Sequence, residues 1–478
     1  MIPIIKLIKK LLRKTRARHQ PIEANYIIPR SQHALSKTDL SVNALKVLNR
    51  LNSAGFQAYL VGGSVRDLLL GKVPKDFDVA TNATPQQIKK LFSNARIIGR
   101  RFKLVHVIFY REIIEVATFR ADHTKQPQET SVFSSAGMVM RDNQYGTLEE
   151  DAWRRDFTIN SLYYNIDDAS IVDMTQGMRD IHKKTIRMIG DPTTRYQEDP
   201  VRMLRAIRFA AKLRFSLEET TATPIAPLSH LLGHVASSRL FDEITKLYHC
   251  GEAEVVQQLL LKHQLFKQLF PQTANLLEDE QPLNAFIGLA LENTDVRIRQ
   301  NKPVTPAFLF AIFLWFPLKV KATALQSKEE LPALNALEQA MSQVLSEQNK
   351  VITIPKRFSQ VMREIWLLQF RFSNRAGNRA FNLLQHPRFR AAYDFLALRA
   401  LCGDESLELA QWWETFQVAN ETEQAQMIKA LSPTLTKRSK RRPKRKKPLS
   451  TSNETSQVAD HTNGSGETTA SGESDSSA

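Results

Sequence analysis

Apolar residues recur at helical spacing over residues 39–54, with Leu40, Ala44, Leu45, Leu48 and Leu51 on one stripe and Asp39 or Ser41 as cap. The run Tyr59-Leu60-Val61 is short and wholly apolar, which predicts a buried strand. Gly62 and Gly63 break it, and Ser64 is the expected cap of a helix opening with Val65 and Arg66. A second strand is expected at Lys75–Ala80 and a helix at Pro85–Phe92, followed by short strands at 96–98, 104–110 and 113–118. Residues 20–38 read as linker, and the polar, aperiodic stretch 122–147 reads as a mobile loop. Further helices are expected at Leu148–Tyr164 and Asp199–Leu213, the latter with Pro200 at its first helical position. From about 215 to 430 the pattern is almost wholly helical, as at Ser238–His249, Glu252–Phe270, Ala307–Phe316, Phe358–Phe372 and Pro387–Leu401. The pattern predicts an α+β chain: a small mixed, largely antiparallel sheet at the head, then a helical neck and body. The expected divisions are 1–38, 39–190, 191–255, 256–430 and 431–478.

Charge adds a partner class. The formal net charge is +17 over 478 residues, so an acidic polymer or surface is the expected partner. Residues 1–20 hold seven Lys or Arg and no acid, with Ile4, Ile5, Ile8, Leu11 and Leu12 on one helical stripe. That segment reads equally as a basic amphipathic helix for a membrane surface or RNA and as a frayed, solvated end. Residues 437–447 hold nine basic residues, and an acidic, Ser-rich stretch follows. This tail is low-complexity and is expected to be disordered, with a basic block suited to RNA phosphates. Cys250 and Cys402 fit neither a disulfide framework nor zinc spacing, and a reducing cytoplasm is the inferred compartment. The uncharged stretch Val304–Leu318 is too short to span a bilayer and reads as a buried core helix. The N-terminus lacks the pattern of a secretory signal.

The candidate chemistry concentrates at 59–81. A strand, a Gly-Gly turn at Gly62 and Gly63 and a helix start with Arg66 nearby can cradle an anion. Asp76 and Asp78 are two apart, so on one strand they share a face. Their repulsion is relieved by a hard divalent cation such as magnesium. Either feature alone is usually a plain turn or a solvated acidic pair; together in one short unit they point to a magnesium–nucleotide site. Glu115, on the last short strand, is a candidate third carboxylate or merely a sheet-edge charge. Arg154, Arg155 and Asp156 could present a guanidinium to a triphosphate or form a surface ion pair. Asp199 and Arg202 have the polarity to read an adenine edge, with Arg205 and Arg208 further along the same helix. A solvated basic stripe with a capping Asp is the plainer reading. Most of the rings among the arginines of 366–393 are expected to be core, leaving RNA contact to the arginines.

The strings LVGGSVRDLLLG, KDFDVAT, RRDFTINSLYYN and EDPVRMLRAIRFAAKL, in this order, resemble the class II nucleotidyltransferases of the polymerase β superfamily. That group holds the tRNA CCA-adding enzymes and the bacterial poly(A) polymerases. IIGRRFKLVHVIF, IPKRF, HPRFRAAYDFLALRA and the basic tail resemble the poly(A) polymerase branch, and the likeness covers roughly residues 40–420. The resemblance implies a polymerase β-like head and transfer of AMP from ATP to RNA 3′ ends. It implies that Asp76 and Asp78 hold two magnesium ions, with manganese as a substitute. Gly63, Arg66 and Arg155 would meet the triphosphate, Asp156 would belong to the active site, and Asp199 and Arg202 would select the base with Arg205 and Arg208 nearby. It also implies a monomer, with an RNA chaperone or the RNA-decay machinery as partner. The rivals are a CCA-adding enzyme, which shares the core motifs, and a non-catalytic RNA binder, which would gain nothing from clustered acids facing RNA.

Overall fold

The computed structural model describes residues 26–99, 103–121, 132–133, 139–141, 144–277 and 281–431. The basic N-terminal segment, residues 100–102 of the GRRF string, most of the expected loop and the charged tail lie outside them. Described residues up to Leu431 form one compact unit.

The head is a sheet. Its strands in chain order are β1 (Ile27–Ile28), β2 (Ala58–Val61), β3 (Asp78–Thr81), β4 (Ala95–Ile98), β5 (Leu104–Phe109) and β6 (Glu112–Thr118). After a β7–β8 ribbon (Val132–Phe133 and Val139–Arg141) come β9 (Leu162–Tyr164) and β10 (Ile171–Asp173). Across the sheet the order is β1-β10-β9-β2-β3-β6-β5-β4. All these neighbours run antiparallel except β3 and β6, which are parallel. A parallel pair needs a crossover, and the chain supplies it with α3 (Pro85–Leu91), after α1 (Val42–Ser53) and α2 (Gly63–Leu69).

Alternation along the strands gives the sheet two different faces. One face packs Leu60, Val79, Val105, Val107, Ile114 and Val116 against Val47, Leu48 and Leu51 of α1, all fully buried. Each such side chain contributes roughly 1.5–3 kcal/mol. Ser41, not Asp39, caps α1, accepting from the Ala44 amide at 3.0 Å. The other face carries a smaller apolar cluster including Tyr59, Val61, Ala80, Phe119 and Tyr163, and beside it the polar cleft.

The remaining helices follow. In chain order they begin with α4 (Leu148–Arg154) and α5 (Gly177–His182), which still lie within the expected head, then α6 (Pro192–Glu198) and α7 (Val201–Leu213). The short strands Thr185–Ile186 and Ser216–Leu217 tie α5 to the end of α7 by a parallel pair. Beyond them the chain is helical, including Ser237–Tyr248, Ala253–Lys262, Leu265–Leu269, Pro306–Glu329, Ala333–Val351, Lys356–Phe372 and Phe389–Leu401. Its core is aromatic; Phe270 and Phe313, for example, have ring centroids 4.7 Å apart. Trp366, Phe372 and Phe389 are buried there, while Arg371, Arg379, Arg388 and Arg390 lie at the surface. That is the division expected between rings and arginines for most of these rings; Phe370, half exposed, is the exception.

Several expected elements are corrected. Ile27 and Ile28, inside the expected linker, add an edge strand against β10. The helix expected to reach Tyr164 ends at Arg154. Arg155 is extended there, and Arg195 donates to the carbonyls of Arg154 and Arg155. Residues 252–270 form two helices because Gln264 takes the left-handed conformation. The core helix continues past Pro317 to Glu329. A proline there leaves the Phe313 carbonyl without its helical donor; the Thr273 hydroxyl supplies one at 2.7 Å. This helix is the one described element long and apolar enough to cross a membrane, and most of it is buried in the fold.

Candidate active site

The cleft lies on the polar face of the sheet and has a volume of about 520 Å³. Its floor includes Val61, Asp78 and Glu115, which belong to one row of residues paired strand to strand. Arg96 lies opposite His106, His106 opposite Glu115, Glu115 opposite Asp78, Asp78 opposite Val61, and Val61 opposite Tyr163. Register alone therefore sets Asp78 and Glu115 side by side on adjacent strands. Burial pushes the Asp78 carboxyl up to about 6, helped by Glu115 and Asp76 and opposed by Arg155.

The strand carrying Asp78 begins at that residue, not at Lys75. Asp76 sits in the preceding bend and is exposed, so the two acids do not share a strand face as expected. Among the described residues no three His, Cys, Asp or Glu side chains form a metal cage. Two carboxylates without a cage still fit magnesium, which commonly takes one or two protein carboxylates and completes its shell with substrate phosphates and water. A bound cation would offset the burial and the neighbouring Glu115 charge that together raise the Asp78 pKa.

Gly62 turns the chain from β2 into α2 with φ +78°, a left-handed value suited to glycine. A Cβ there would lie 3.6 Å from Arg155 Nη1 and 3.8 Å from Asp78 Oδ2, so this backbone runs between the two. The helix starts at Gly63 with Gly62 as its cap. Ser64 does not cap it; its hydroxyl donates back to the Val61 carbonyl. Arg66 points away from the cleft. It is only 3% exposed and donates to Asp67 and to Asn160 Oδ1.

Asp156 anchors the far wall. Its Oδ1 accepts from the Phe157 amide and Asn160 Nδ2, and its Oδ2 from Arg205 Nε. Burial favours the neutral acid, but Arg205 and these hydrogen bonds outweigh it and hold the carboxyl well below the usual range. Asp67, Arg66, Asn160, Asp156 and Arg205 thus form one continuous chain of bonds from α2 to α7. Arg155 donates to the Tyr163 hydroxyl at 2.8 Å and to Asp151 at 3.1 Å. Burial works against its charge, yet Tyr163 and Asp151 keep it firmly protonated.

Asp199 and Arg202 line the cleft, joined through the backbone, where the Arg202 amide donates to the Asp199 carbonyl at 3.0 Å. Asp199 closes α6 and accepts a two-pronged contact from Arg239, Nη1 to Oδ1 and Nη2 to Oδ2, both 2.7 Å. Arg202 donates Nη1 to the Arg195 carbonyl and to Glu198. Pro200 precedes the first helical residue, Val201. Arg208 lies outside the cleft lining, bonded to Glu243 and stacked over Phe209.

Sequence reasoning missed Arg120, Arg195, Arg239 and His106. The first three line the cleft with Arg154, Arg155, Arg202 and Arg205. Arg154 is driven down to about 9 by burial and by the charges of Arg120, Arg195 and Arg202. Such mutual repulsion marks a wall arranged for a polyanion. No local motif flags Arg239, which comes 40 residues after Asp199; strand alternation from Leu104 could have found His106.

A carboxylate pair on a sheet floor, facing an arginine wall, is the site of a nucleotidyltransferase. Solved structures share the fold: a tRNA-processing enzyme in apo form and another with CTP each superpose with TM-score 0.53 at 20% identity. Each match covers 80% of this chain, with 99% and 97% of the respective neighbour. Residues 58–187 match the poly A polymerase head domain, 214–277 the probable RNA- and SrmB-binding site of polymerase A, and 329–447 the polymerase A arginine-rich C-terminus. The poly(A) polymerase I of Salmonella typhimurium is 49% identical, covering 88% of this chain and 92% of its own length. That of Haemophilus influenzae is 46% identical over 84% and 90%. The chain belongs to the bacterial poly(A) polymerase I family. The CCA-adding enzyme of Bacillus subtilis is 37% identical, over 48% of this chain and 55% of its own.

Proposed function

We propose that the chain extends RNA 3′ ends with AMP from ATP, without a template, through the cleft just described. The observation that carries the reading is the juxtaposition of the Asp78–Glu115 pair with a wall of arginines. The 3′-hydroxyl oxygen bonds to the α-phosphorus of ATP, the bond to the β-phosphate oxygen breaks, pyrophosphate leaves, and the hydroxyl proton passes to solvent. Asp76, Asp78 and Glu115 would hold two magnesium ions, or manganese in their place. When bound, these ions lower the hydroxyl pKa and neutralise the departing pyrophosphate.

The protein groups then act by position and charge. Gly62 and Gly63 let the nucleotide approach the backbone. Arg154, Arg155 and Arg195 meet the phosphates. Asp156 orients Arg205 toward the same anion and is a positioning residue, since its own oxygens are taken. Arg66 supports it through Asn160, and Arg208 braces the neck through Glu243. Asp199, fixed by Arg239, and Arg202, which keeps donors uncommitted, read the adenine edge. The surface arginines of 371–390 grip the RNA. The sequence divisions given above, a monomeric state, a chaperone or decay partner and membrane contact by residues 1–20 belong to the same reading.

The test is primer extension with ATP, CTP or both, on a generic RNA and on a tRNA lacking its terminal CCA. Long tails from ATP on either RNA are expected. Addition of only C, C and A, and only to the tRNA, would replace this reading with CCA addition.

A further inference from the structure

His106 adjoins the cleft floor and has no task in the reaction above. It lies on β5 directly opposite Glu115, and its Nε2 is 3.3 Å from Glu115 Oε1. A carboxylate can only accept, so the imidazole donates from Nε2. No other hydrogen bond or ion pair holds Glu115 among the described residues, so its Oε2 stays uncommitted. Glu115 has neighbours of opposite character on its two sides in the row: Asp78 on β3, a like charge, and His106 on β5. Side by side, two ionised carboxylates repel, and a glutamate side chain has three rotatable bonds with which to turn away. Both Glu115 and His106 are partly exposed, with side-chain exposures of 41% and 26%. Packing therefore does not hold the glutamate over the cleft; the imidazole is the contact that can.

We propose that His106 is a positioning residue that fixes Glu115 beside Asp78 as the second carboxylate for the catalytic divalent cation. The inference rests on the reading of Glu115 as a cation ligand. A group that orients a metal-binding carboxylate from behind typically changes metal affinity ten- to a hundredfold when removed. His106 lies outside the cleft lining, so its loss acts through Glu115 and the cation and not through substrate binding. Glutamine can supply an N–H from a similar position, whereas alanine cannot.

The test compares full-length wild type, His106→Ala, His106→Gln, Glu115→Gln and the His106→Ala/Glu115→Gln double variant. Mn²⁺ binding is read by the electron paramagnetic resonance of the free ion, with no turnover. The Mg²⁺ concentration for half-maximal AMP incorporation and the KM for ATP at saturating Mg²⁺ are read separately. His106→Ala is expected to weaken Mn²⁺ and raise the Mg²⁺ half-point about tenfold, leaving KM for ATP unchanged. His106→Gln is expected to recover most of this, and the double variant to be no worse than Glu115→Gln alone. If Glu115→Gln weakens Mn²⁺ binding but His106→Ala does not, the role of His106 is overturned and the cation site stands. An alanine effect that is fully additive in the double variant overturns that role in the same way. If Glu115→Gln itself leaves Mn²⁺ binding unchanged, the carboxylate assignment fails and the positioning role fails with it.

Discussion

Arg205 sends Nε and Nη2 to the same carboxylate oxygen of Asp156, at 2.7 and 2.6 Å, and so joins helix α7 to the residues that follow α4. Among the described residues this is the ion pair that each of the two makes. Removing the acid strands a partly buried guanidinium, which costs roughly 3–5 kcal/mol in comparable pairs. Asp156→Ala is therefore expected to lower the melting temperature and reduce kcat together. Arg205→Lys, which cannot repeat the two-pronged contact, is expected to resemble it. Because the Asp156 carboxyl is held low, its contribution is complete above the ordinary carboxylate range and is lost as pH falls below about 4. Thermal melts of wild type and Asp156→Asn should converge at acid pH; parallel curves would show that the pair contributes no stability.

Asp78 has the opposite sign. Its folded value, about 6, lies above the ordinary 3.8. In the metal-free protein this group disfavours folding as pH rises through that interval, because the folded state holds the proton more tightly. Asp78→Asn is thus expected to raise the stability of the metal-free protein at pH 7.5 by roughly 1–3 kcal/mol while abolishing AMP incorporation. For wild type, half-saturating Mg²⁺ should rise as pH drops below 6, since the cation must displace a proton. A pH-independent half-point between 5 and 7.5 would show that Asp78 is not the titrating ligand.

The middle of this site was legible because it is local. Val61, Gly62 and Asp78 are close in sequence, and a strand–turn–helix–strand unit fixes most of their geometry. Asp76 precedes the strand that Asp78 opens, so strand alternation does not set its direction, although its charge still reaches Asp78. Other parts depend on distant register or packing. The floor row needs β5, β6 and β3 paired in one alignment, so His106 gains a meaning only beside Glu115. The segment 155–164 fits a helix by its apolar spacing; Arg195, from a later helix, secures its end by taking two carbonyls. Arg66 and Arg208 were expected near the ligand because arginines beside phosphate motifs usually serve there. Buried acceptors, Asn160 Oδ1 and Glu243, claim them first.

The two-pronged contact of Arg239 with Asp199 should govern which base is accepted. Both oxygens of Asp199 are fixed by one planar group, which sets the carboxylate's plane toward the cleft. Lysine at 239 keeps the charge but only one point of contact. Arg239→Lys is expected to lower the preference for ATP over CTP about tenfold, within the 1–3 kcal/mol range of a good bidentate contact, with little change in the melting temperature. Competition assays with labelled ATP and CTP measure it directly. An unchanged ratio alongside reduced total incorporation would make Arg239 a general brace and not a selector.

Thr273 and Pro317 give a prediction remote from the chemistry. The proline removes the N–H that would meet the Phe313 carbonyl, and the Thr273 hydroxyl replaces it from another helix. Both positions are buried, so Thr273→Val leaves a carbonyl unpaired in an aromatic core at a cost of roughly 1–3 kcal/mol. Pro317→Ala returns the missing N–H. In that background the threonine hydroxyl is redundant, and Thr273→Val should cost well under half as much. Denaturant unfolding of the four proteins in the cycle measures the coupling. Per-molecule AMP incorporation should be unaffected throughout, because neither residue reaches the cleft. Equal costs of Thr273→Val in the two backgrounds would mean that the hydroxyl matters for packing volume and not for the proline's lost bond.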